Sequence, residues 1–60
     1  MIEVSIEHVP PDEESRKRVT YLGTGPPDDV VAVTDAVART WRLVPNGSAV
    51  LGVSVVAEAD

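Results

Sequence analysis

The sequence predicts an α+β domain of order β–β–α–β, a three-stranded and mainly antiparallel sheet with one helix packed on one face. Three observations carry this. Three stretches alternate apolar and polar residues with period two; one stretch before the last of them repeats valines with a period near 3.6; and turn residues separate all four. A sheet with one apolar face and a helix with one apolar stripe bury each other, and this is the economical way to do it.

The first strand spans residues 2–9. Ile2, Val4 and Ile6 point one way and Glu3, Ser5 and Glu7 the other, which is the signature of a half-buried strand. His8 shares the inward parity near the strand end, and Pro10-Pro11 breaks the pattern. Asp12-Glu13-Glu14 and then Arg16-Lys17-Arg18 follow, a block of acids before a block of bases with no apolar face, so this segment is expected to be a solvated hairpin loop. Residues 18–22 form the second strand, with Val19 and Tyr21 on one side and Thr20 and Leu22 on the other. Gly23-Thr24-Gly25 turns the chain into the helix.

The helix is expected over residues 26–44. At about 100° per residue, Val30, Val33, Val37, Trp41 and Val44 fall in one narrow stripe; Val31 and Ala38 flank it on one side, Ala36 and Thr40 on the other. Asp28, Asp35, Arg39 and Arg42 gather opposite. Thr24 or Gly25 would cap the helix, with Pro26 in the first helical position, where its missing N–H costs nothing. Acids then lead and bases trail, as the helix dipole favours, and Pro45 ends the helix. A second reading stops the helix near Ala38 and makes residues 40–44 a strand, joined to the last one through Pro45-Asn46-Gly47. The last strand, residues 49–57, is the most apolar. Leu51, Val53, Val55 and Ala57 share one face, Gly52 and Ser54 the other, and Glu58 and Asp60 finish in water.

A right-handed crossover can set the third strand beside the first, giving order 2-1-3; order 1-2-3 is the alternative. The expected core is Ile2, Val4, Ile6, Val19, Tyr21, Leu51, Val53 and Val55 from the sheet, facing Val30, Val33, Val37, Trp41 and Val44 of the helix.

Sixty residues make a single domain, 1–60, and a domain this small buries only about 60% of its unfolded surface. Such domains usually need a disulfide, a metal or a partner. With no cysteine and one histidine, disulfides are excluded and a structural zinc site nearly so. Association with itself or with a larger protein assembly is the remaining staple. The formal charge of −5 opposes a nucleic-acid or anionic-membrane partner. No run of about 18 apolar residues is present, and a cytoplasmic protein, or one held within a virion or similar assembly, is expected. Abundant valine and arginine in excess of lysine are common in products of GC-rich genomes.

The motifs that could carry chemistry are weak. Gly23-Thr24-Gly25 lacks the third glycine of a dinucleotide loop and the Lys-Ser/Thr of a P-loop, and Pro26 and Pro27 remove donors that an anion would need. Ser5 and His8 lie on opposite strand faces, so a nucleophile–base pair is not formed. His8 with Glu7, Asp12, Glu13 or Glu14 has no metal-ligand spacing. Arg16-Lys17-Arg18 with Tyr21 is a short basic patch offset by the neighbouring acids. Trp41 reads as core. No catalytic, cofactor or metal residue is assigned, and no cofactor is expected.

The expected function is a non-enzymatic interaction or structural module, an oligomer or an accessory subunit, such as a small phage or bacterial structural protein. The alternative is a small acidic regulator that binds another protein. The expected contact is the third strand at Val50, Gly52, Ser54 and Val56. Under order 2-1-3 it is an edge strand, and such edges are normally blunted by lysine, proline, a bulge or an inward charge; residues 49–57 have no lysine, proline or charge, and although Gly52 could mark a bulge, Ser54, Val55 and Val56 continue the strand beyond it.

Overall fold

The computed structural model describes residues 1–59; Asp60, expected in water, lies outside the described residues. Strand β1 (Ile2–Val9), strand β2 (Lys17–Gly23), helix α1 (Val30–Trp41) and strand β3 (Ala49–Ala57) follow in that order. The sheet has order β2-β1-β3, and both pairings are antiparallel.

β1 is central because it is the strand whose alternation is cleanest. Ile2, Val4 and Ile6 are fully buried, and they sit opposite Gly23, Tyr21 and Val19 of β2 and Ala57, Val55 and Val53 of β3. Residues directly opposite in a ladder share a face, so all of these point toward the helix. The loop between β1 and β2 turns at residues 10–13, with the Glu13 N–H donating to the Pro10 carbonyl and Asp12 in the left-handed region at φ 66°.

The helix begins four residues later than the sequence suggests. Pro27 pushes Pro26 out of the α region, so residues 26–29 close a turn instead, the Asp29 N–H donating to the Pro26 carbonyl. Asp29 is the N-cap, its carboxylate accepting from the Val31 N–H at 2.9 Å. Beyond Trp41 the chain tightens: Leu43 and Val44 donate to the carbonyls of Thr40 and Trp41, three residues back. Residues 40–44 therefore end the helix and do not form a strand. Gly47, at φ 84°, then turns the chain into β3.

The helix is also rotated from its expected seat. Its buried residues are Ala36 and Thr40, with Ala32, Val33 and Val37 packed beside them against Ile2, Val4 and Tyr21. The buried arc thus lies roughly 70° from the valine stripe, at 100° per residue. Small residues set this contact. A Cβ added at Gly23 would stand 3.5 Å from the Ala36 Cβ, and one at Gly25 3.2 Å from the Ala32 Cβ, so glycine on β2 and alanine on α1 bring the backbones close. Val30 is 76% and Trp41 54% exposed; neither is core.

Candidate functional site

The third strand differs from the other two. All nine of its residues are exposed, and none of them joins the buried cluster under the helix. The reason is width. A helix about 10 Å across covers two strands spaced about 4.8 Å apart, not three. α1 lies over β1 and β2. Val53 and Val55, expected in the core, are therefore left about half exposed; Leu51, also expected there, is half exposed because it is the extra residue of a bulge and borders the outer face.

The ladder between β1 and β3 slips by one residue between Glu7 and His8. Glu7 pairs with Gly52 but His8 with Val50, so Leu51 is the extra residue of a β-bulge. The bulge re-sorts the strand. Val50 opposes the inward His8, joining Val53, Val55 and Ala57 on the helix side. Gly52, Ser54 and Val56 oppose Glu7, Ser5 and Glu3 on the outer face. Of the four residues expected to form a contact, three share the outer face and Val50 lies on the inner one.

The two faces have different chemistry. On the inner side, the Arg39 flank of α1 leans on β2: the Arg39 guanidinium is held above its ordinary range first by its hydrogen bond to Asp35, and further by Tyr21. The opposite flank, with Val30 and Trp41 more than half exposed, is the one away from β2. Beside it the inner-face residues Val50, Val53 and Val55 of β3 are also exposed, and the step between helix flank and strand is an open, largely apolar trough. At one end Trp41, Val44, Pro45 and Val50, with Arg42, Asn46 and Ser48, line a hollow of about 350 Å³. The wall residues were legible as apolar; what pattern alone missed is that the helix is too narrow to cover the floor.

The outer face is mixed. Glu3, Ser5, Arg18, Leu51 and Ser54 border an open hollow of about 620 Å³. Glu7 receives Arg18 in a hydrogen-bonded ion pair and Arg16 at 3.8 Å. Arg18, first by that hydrogen bond and then by its charge, holds the Glu7 carboxyl below its usual range. Lys17 reaches Glu13 at 3.6 Å. Each base of the Arg16-Lys17-Arg18 triplet is thus paired with an acid of the same chain, which leaves little for a phosphate backbone.

The remaining sequence candidates are kept apart. Gly25 and the first helical residue are separated by residues 26–29, and the Asp29 carboxylate already occupies the helix N-terminus. Ser5 faces outward, its hydroxyl 3.0 Å from that of Thr20, while His8 is buried on the inner side. The His8 Nδ1 lies 3.3 Å from the Ile6 carbonyl oxygen; that oxygen only accepts, so Nδ1 carries the proton. Among the described residues no three His, Cys, Asp or Glu side chains are grouped to hold a metal ion. No helix among them is long and apolar enough to cross a membrane.

No family model, curated protein or solved structure matches this chain.

Proposed function

We propose that this protein is a non-enzymatic interaction module, working as an oligomer or as an accessory subunit of a larger protein assembly, with β3 as its contact strand. A small phage or bacterial structural protein would have these properties. One observation carries the reading: an edge strand of nine residues, all exposed, without a charge, proline or lysine, and with valines on both faces. Soluble chains normally blunt such edges; the bulge at Leu51 interrupts only one end of β3 and leaves residues 52–57 as regular ladder, and exposed apolar surface that is contiguous rather than scattered marks an interaction site. An edge of this kind takes another strand through main-chain hydrogen bonds.

A photo-crosslinking residue placed at Val55 (inner face) or Val56 (outer face), in the protein expressed in its native cells, tests this. The expected result is a defined adduct, either with another copy or with one other protein. The same residue at Ala38, exposed on the side of α1 opposite the buried Ala36 and Thr40, should give none. If both β3 positions react no more than Ala38 does, β3 is not a contact strand.

A further inference from the structure

The chain is too open for its mass. Its accessible surface is 4185 Å², against about 3,800 Å² for a compact monomer of this mass. Its radius of gyration is 12.2 Å, against about 10.4 Å for a compact domain of this length. β3, with all nine residues exposed, contributes to the excess. A standard interface removes about 800 Å² from each partner, so an added layer at β3 would more than cover the excess.

From this we infer that the partner at β3 is a second copy of the chain, added edge to edge and antiparallel about a two-fold axis, with both helices on the same side of one six-stranded sheet. The inference rests on the reading of β3 as a contact strand and names what it contacts.

Three features select this arrangement. The first is charge. Two copies each carrying −5 repel least where they meet through neutral surface, and residues 49–57 are neutral throughout. Across a β3–β3 pair the two Glu3 residues stand three strand spacings apart, about 14 Å, beyond the screening length of about 8 Å at physiological salt. Asp35 and Arg42 lie on the outer side of α1 and Arg39 on its flank toward β2; all three are exposed and stay in water. Packing two copies face to face would instead press that charged side of each helix toward the other copy's valines.

The second is the bulge. It disrupts the strand at Leu51 and leaves residues 52–57 as regular ladder, so the axis falls beside Ser54 or Val55.

The third is parity. Opposite residues share a face, and a one-residue slip exchanges the faces. With the axis at either residue, Val53 and Val55 meet Val55, Val53 or Ala57 of the other copy, and Gly52 and Ser54 meet outer-face residues. A slip by one would set Val55 beside Ser54 and place the helices on opposite sides. In the matched register the two trough floors merge.

Sedimentation of the unmodified chain over a concentration series, with hydrogen exchange at each concentration, tests the pairing. Expected are a species of twice the 6.4 kDa chain mass, slowed exchange in β3 as it forms, and no change in β2, the other edge. V53K should return the mass to that of one chain while leaving the circular dichroism unchanged, since Val53 is 51% exposed. The chain has no cysteine, so parity is read directly. With one variant of each mixture isotope-labelled so that mass separates mixed from like pairs, oxidation should give V53C–V55C mixed disulfides if the axis is at Ser54, or V55C–V55C disulfides if it is at Val55, and a V55C and S54C mixture should give no mixed ones. A single-chain mass at several hundred micromolar overturns the second copy, and so does a dimer protected at β2; mixed V55C–S54C disulfides overturn the same-side arrangement. The photo-crosslinking result is separate: adducts with a different protein, alongside a single-chain mass, would leave the contact-strand reading standing without this partner.

Discussion

Two glycines separate backbone need from side-chain need. Gly25 holds φ at 129° with Ala32 beside it, so Gly25→Ala meets both strain and crowding and should cost about 1–3 kcal/mol. Gly52 has nothing within 4 Å of a built Cβ and no positive φ; Gly52→Ala should be neutral, or stabilise by up to about 1 kcal/mol. Urea melts of the two variants check the contrast, and equal losses would contradict it. Glu7 gives the pH dependence at this scale. Its folded pKa lies below the ordinary value because Arg18 bonds its charged form. The contribution is present above the unfolded pKa, near 4.5, and is lost as pH falls through the lower folded value. Glu7→Gln should therefore cost a little stability at neutral pH and nothing once both proteins are well below that range. Unfolding midpoints in urea at neutral and acid pH measure this; a larger deficit in acid would reverse the sign.

At the scale of the element, the helix divides what the sequence states from what it leaves open. Val30 and Val37 fall in one stripe on the wheel, yet Val37 packs against the core and Val30 is mostly in water. Val37→Asp should destabilise by about 2 kcal/mol or more, since it drives a charge into apolar surroundings. Val30→Asp should stay within about 0.5 kcal/mol, as exposed changes do, and Asp35→Ala under about 1 kcal/mol despite its bond to Arg39. Circular dichroism melts rank the three; if V30D is as damaging as V37D, the helix seat is wrong. The strand bounds were legible almost to the residue, because the alternation marks them; the faces of Val50 and Leu51 were not, because the bulge shifts the period there. The order β2-β1-β3 was one of two the crossover allowed, 1-2-3 being the other. The rotation of α1 was not, because hydropathy ranks valine above alanine whereas close approach to Gly23 and Gly25 ranks alanine above valine. The helix start was hidden by Pro26, a good first residue on its own but not with another proline after it.

At the scale of the molecule, the uncharged edge at β3 was legible under one of the two strand orders. The trough was not, because it depends on helix width rather than on any residue. His8 is buried against the Ile6 carbonyl, and among the described residues no cluster of ligands surrounds it, so zinc should leave the melting temperature unchanged. A saturable rise of several degrees, abolished in His8→Ala, would show a site that stabilises the folded state by binding it.

Leu51 sets the phase of the whole chain. Remove it and the count between Val50 and Gly52 matches the count between His8 and Glu7, so every other residue of β3 keeps its partner on β1. Add a residue anywhere from 53 to 56 instead, and everything on one side of the insertion changes face. The protein should thus tolerate a 59-residue version lacking Leu51, with Val50 still inward, and reject a 61-residue version lengthened a few positions later. Lengths that differ by a single residue are not equivalent here, because β3 contains one place where the frame has already been shifted and can be shifted back.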